Sequence, residues 1–134
     1  MDVSKYFEII SAEDRVVHVE HRGNWTDEVI EEMGEEFLRR WRKAVDSMGG
    51  ERFIILADVS NFESVSPTLQ KYLTKAMSYA TERKVYKAVE IISKAQAQIG
   101  IKDAALKTGR DNFRIVVTSL ARAKQVVERL KKDL

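Results

Sequence analysis

Hydroxyl groups crowd one short stretch of this sequence. From Ala57 to Leu73 it reads ADVSNFESVSPTLQKYL, which gathers Asp58, Ser60, Ser64, Ser66 and Thr68 around Pro67, the sole proline. Two chemistries suit that set. A hydroxyl placed here can carry a phosphate, which would meet the positive end of a helix opening at Pro67. The same residues can instead build the helix start. Ser66 accepts a hydrogen bond from the exposed amides of the next turn, worth about 1 kcal/mol. Pro67 lacks an amide hydrogen, and its fixed φ suits the first helical position. Capping therefore accounts for Ser66-Pro67 without a modifying enzyme.

Asp58 stands at the carboxyl end of an apolar run, where open α/β sheets place ligand crevices. Taken alone it is expected to form a turn, because Asp readily bonds the backbone two residues ahead. His18 and His21 are the only histidines. Three apart on a strand, they point to opposite faces and do not share a metal. The chain has no cysteine, which removes a disulfide framework, a thiolate metal site and a cysteine nucleophile. There is no G-x-x-x-x-G-K-[ST] loop, no G-x-G-x-x-G and no G-x-S-x-G elbow. KTGRD (107–111) reads as a helix stop. Carboxylates are plentiful, but no pair stands out as an acid/base couple. No catalytic residue, cofactor or metal is expected, and the chain is not expected to be an enzyme. Trp25, Tyr72, Tyr79 and Tyr86 suit ordinary packing, with a partner surface or an apolar pocket as the alternative.

The elements that must position these residues follow from periodicity. KYFEII (5–10) and RVVHVEHR (15–22) are β-rich runs joined by the polar SAED, a hairpin pattern. Thr26 or Asp27 can cap a helix whose apolar face is Ile30, Met33, Phe37, Trp41, Ala44 and Met48, stopped by Gly49-Gly50. RFIILADV (52–59) is continuously apolar and reads as a strand covered on both sides. Leu69, Leu73, Ala76, Met77 and Ala80 mark a second helical face. YKAVEIIS (86–93) is a strand, KAQAQIGIKDAALKT (94–108) a helix weakened by Gly100, and NFRIVVT (112–118) the last strand. Ser119 can cap the closing helix LARAKQVVERLKKDL (120–134).

The order ββαβαβαβα implies a single α/β domain over residues 1–134. Its sheet is mixed and mostly parallel, with an antiparallel N-terminal hairpin at the edge and flanking helices. The chain has 134 residues, 44% hydrophobic and 33% charged, a composition that suits a soluble globular domain rather than a disordered one. The net charge is only +2. In the first helix the acids Asp27 to Glu36 precede the bases Arg39 to Lys43, the order a helix dipole favours. No basic stripe is interleaved with aromatics, so a nucleic-acid partner is not expected. MDVSKYFEII lacks the basic and long apolar regions of a signal peptide, and no run approaches a membrane span. The cytoplasm is the expected compartment.

Three segments together resemble the STAS domain, the fold of anti-sigma factor antagonists, and more closely its SpoIIAA-like (STAS/SEC14-like) relatives. RVVHVEHRGNWT is similar to the family's second strand and glycine turn. FIILADVSNFESVSPTL is similar to the central strand and switch loop. NFRIVVTSLARAKQVVERL is similar to the last strand and terminal helix. The resemblance spans roughly residues 5 to 132. It implies a non-catalytic regulatory module that binds a protein, an anti-sigma factor or another regulator, through the loop carrying Asp58, Ser60, Ser64, Ser66 and Thr68. Family loops read approximately Asp-Ser-Ser-Gly, with the first serine phosphorylated by a partner kinase. Here Ser66 falls near that position, but the acidic neighbour and the glycine are missing, so the classical phosphoswitch is not expected. The SEC14-like side implies an alternative, a carrier or sensor of a lipid or small apolar ligand. Its cavity would be bounded by the second and third helices near Met77, Tyr79 and Ile99. A homodimer is left open.

Overall fold

Alternating apolar side chains at the N-terminus build the hairpin first. β1 (Phe7–Glu13) and β2 (Val16–Gly23) pair antiparallel, with a bulge between Ile9 and Ser11. The connection is tighter than SAED suggests. β1 runs on to Glu13, and only Asp14 and Arg15 make the turn, both at positive φ (54° and 62°). That is the geometry whose twist matches two antiparallel strands. The computed structural model describes residues 2–62, 66–92 and 113–134. The helix expected over 94–108 lies outside them.

α1 (Asp27–Asp46), β3 (Phe53–Phe62), α2 (Pro67–Glu82), β4 (Val85–Ile91), β5 (Arg114–Val117) and α3 (Leu120–Lys131) follow in order. The five strands form one sheet in the order β1-β2-β3-β4-β5, and every pair after the hairpin is parallel. Parallel neighbours need crossovers, and α1 and α2 supply two of them on one face. There Val17, Val19, Phe53, Ile55 and Val59 meet Ile30, Phe37, Leu38, Leu69 and Leu73. α3 covers the other face, where Ala123, Val126, Val127 and Leu130 close over Val16, Ile54, Leu56, Val89 and Ile91. β3 is central and buried on both sides, as its unbroken apolar run requires.

A hydroxyl residue caps each of these helices. Thr26, Ser66 and Ser119 accept from the backbone amides of Val29, Leu69 and Arg122 at 3.3, 3.1 and 3.2 Å. α1 and α2 pack closely because residue 34 has no side chain. A Cβ on Gly34 would collide with Cε1 and Cζ of the Tyr72 ring. One turn pair further along, the Trp41 indole donates to the carbonyl of Ala76 at 2.8 Å.

Candidate functional site

β3 ends differently from the sequence expectation. The backbone bond two residues ahead expected of Asp58 is made, but within the strand, which continues three residues past Val59 to Phe62. The register against β2 slips there: Glu20 faces Asp58, whereas Arg22 faces Asn61, so β3 carries one extra residue opposite His21. The Asp58 carboxylate fastens this bulge by accepting from the backbone N–H of Ser60 at 3.0 Å and from its hydroxyl at 2.6 Å. The local bonding expected of Asp58 is present, but the tertiary pairing turned it to a bulge. An extra residue reverses strand parity. Phe62 therefore turns into the core, fully buried, while Asn61 is exposed.

Phe62 completes an aromatic nest around His21. The two rings stack at 5.6 Å, and Phe7, Trp25 and Phe37 surround the imidazole at 5.1, 6.3 and 5.6 Å. His21 is 5% exposed, and its Nδ1 has no hydrogen-bond partner among the described residues. Burial without a counter-charge pushes its pKa down to about 4, so the ring is neutral at ordinary pH. His18, on the opposite face, is half-buried, and burial followed by the charge of Lys124 lowers its pKa. Among the described residues no group of three or more His, Cys, Asp or Glu side chains is placed to hold a metal.

At the far side of the junction, Ser66 is half-buried in extended backbone at the N-cap and Pro67 is exposed at the first helical position. Thr68 is half-buried in the first turn, and no acidic residue stands in that turn. Ser64 lies outside the described residues. The structure thus joins Asp58 to Ser60 and Ser66 to Leu69, and it brings Thr68 beside Ser66 on the same helix start. Beyond them α2 exposes Lys71 and Lys75, and the Lys75 ammonium stands 5.4 Å from the centre of the Tyr72 ring.

The other aromatics singled out in the sequence make packing contacts. Trp25 is 2% exposed within the nest. The Tyr79 hydroxyl donates to Asp46 at 2.7 Å while the Arg83 guanidinium lies 3.4 Å over its ring. Arg52 lies 4.4 Å over Tyr86.

Two features escaped the sequence reading. One is a buried ion pair: Arg114 on β5 grips Glu90 on β4, its Nε 3.0 and 2.8 Å from the two carboxylate oxygens, with both side chains 6% exposed. Its signal was partly available, since Arg114 is the lone charge in the apolar run RIVV and a buried charge needs a partner. The other is a cavity of about 70 Å³ between the sheet and the helices α1 and α2, lined by His21, Phe37, Trp41, Leu73, Met77 and Glu90 among others. Of the lining proposed for the apolar-ligand alternative, Met77 is in its wall, Tyr79 is not, and Ile99 lies outside the described residues.

No protein-family model and no curated protein significantly matches the sequence. Among solved structures, the chain is similar to the crystal structure of an anti-sigma factor antagonist from Mycobacterium paratuberculosis. The TM-score is 0.53 over 96% of this chain and 99% of that one, at 14% identity. The chain has a STAS-like fold. At such low identity the likeness concerns the fold alone.

Proposed function

We propose that this chain is a non-catalytic, cytoplasmic regulatory module of the STAS type that binds another protein. The carboxyl end of β3, the capped start of α2 and the exposed side of α2 form the docking surface. The observation that supports this reading most is the likeness of nearly the whole fold to an anti-sigma factor antagonist, a protein described by the protein factor it opposes. Lys71 and Lys75 give the outer side of α2 a positive character, so the partner presents carboxylates there. Ser66 acts in this reading as a helix cap, its hydroxyl oxygen already accepting from Leu69.

Asp58 anchors a bulge, so its replacement would disturb the fold as well as the surface. The cleaner test reverses charge on exposed residues. Affinity capture from the native host is compared for wild type, a Lys71→Glu, Lys75→Glu variant, and a Lys124→Glu, Arg129→Glu control on α3. A partner retained by wild type and control but lost with the α2 variant is the expected result. Identical partner sets for all three, or none, would count against this surface. Intact mass of the same protein should show no phosphate; stoichiometric phosphate on Ser64, Ser66 or Thr68 would restore a phosphoswitch.

A further inference from the structure

Beneath α2 a cavity of about 70 Å³ and a neighbouring one of about 30 Å³ share four wall residues, Ile55, Met77, Ala88 and Glu90. The first reaches His21 and the second reaches Arg114. They lie side by side as the two parts of a slot along the sheet, with the flexible Met77 side chain in the wall of both. The described lining is apolar except for His21 and the Glu90–Arg114 pair. Glu90 and Arg114 are engaged with each other, whereas Nδ1 of His21 is buried without a partner among the described residues. Buried nitrogens are seldom left so, and each costs free energy unless something bonds it.

We propose that the slot beneath α2 is a binding site for a small uncharged molecule with a short apolar body and one hydroxyl-like group, the latter bonding the His21 imidazole. A neutral imidazole offers one donor and one acceptor nitrogen, so it matches a hydroxyl in either sense. A charged head group does not fit, because the wall offers no free counter-charge among the described residues and the interior penalises an unpaired ion. Size excludes a lipid chain. A cavity of about 150 Å³ takes benzene, and the larger part here has less than half that volume. An occupant of a few heavy atoms fits as the slot stands, and movement of Met77 would admit a slightly longer one.

The site is independent of the protein-partner reading, and so is its test. Xenon, n-butanol and octanoate are titrated separately into the protein, followed by methyl and imidazole NMR. Butanol is expected to bind saturably, shifting the methyl signals of Ile55, Leu73, Met77 and Ala88 and the ring nitrogens of His21. Xenon should shift the same methyl groups without the imidazole, and octanoate should leave all of them unmoved. Ala88→Val, which fills the slot, should abolish both shifts; Met77→Ala, which enlarges it, should strengthen them. His21→Leu should weaken butanol about tenfold, the worth of one hydrogen bond, and leave xenon within about twofold. Absence of saturable shifts, shifts elsewhere, or equal butanol binding by the Ala88→Val variant would overturn the site. Unchanged butanol affinity in His21→Leu would overturn the role of the imidazole, and octanoate binding in the slot would overturn the size limit.

Discussion

At the residue scale, the hydroxyl-rich stretch separates into side chains with distinct structural tasks. Ser66 accepts from Leu69, so Ser66→Ala should cost about 0.5–2 kcal/mol in denaturant unfolding, whereas Ser66→Asp, which also caps, should be nearly neutral. A loss of stability in Ser66→Asp as large as in Ser66→Ala would refute the capping role. His21 makes a pH-dependent contribution of its own. Its folded pKa is depressed from 6.5 to about 4 by burial, so the unfolded chain takes up the proton first as pH falls. Stability is complete above pH 6.5 and declines as pH falls towards 4, by roughly 3 kcal/mol for a shift of this size. Half-buried Glu36, held down to about 2 by Arg39 and Arg40, adds a loss only below pH 4.5. Urea midpoints from pH 8 to pH 4 should therefore fall more steeply in wild type than in His21→Leu, where the contribution of His18, also depressed by burial, remains above pH 4.5. An unchanged slope would assign the effect to other groups.

At the scale of elements, the packing of α1 on α2 depends on a missing side chain. Gly34 interrupts a helix in which alanine would be about 1 kcal/mol more favourable, yet a Cβ there would drive into the Tyr72 ring. Gly34→Ala should thus destabilise the wild-type background by about 1–2 kcal/mol, the cost typical of overpacking. In a Tyr72→Ala background the same substitution should stabilise, because only the propensity term remains. Thermal unfolding of the four proteins reads this directly, and equal effects in both backgrounds would show that the contact does not limit the packing. The helices themselves were legible in the sequence: Thr26, Ser66 and Ser119 each precede an apolar periodicity and each caps its helix. The length of β3 was not legible. Val59-Ser60-Asn61-Phe62 alternates poorly, and its strand character depends on pairing with β2 through a bulge.

At the scale of the whole molecule, α3 and β5 close the sheet, and one buried ion pair fastens β5 to β4. Breaking it by Arg114→Met should cost about 3–5 kcal/mol, since Glu90 is then left buried without that guanidinium. The Glu90→Leu, Arg114→Met double variant should recover most of the loss. A double variant as unstable as the single one would mean that the pair does more than compensate itself. The sequence alone determined the types of the described elements, the mostly parallel order and the capped start of α2, because turn chemistry and hydrophobic period are local properties of the chain. Only the tertiary structure decided that β3 runs on to Phe62, that His21 sits neutral in an aromatic nest, and that Glu90 finds Arg114. It also decided that a slot remains beneath α2. Those outcomes depend on which residues distant in sequence come to face one another across the sheet, and on how closely their shapes fill the space between sheet and helix.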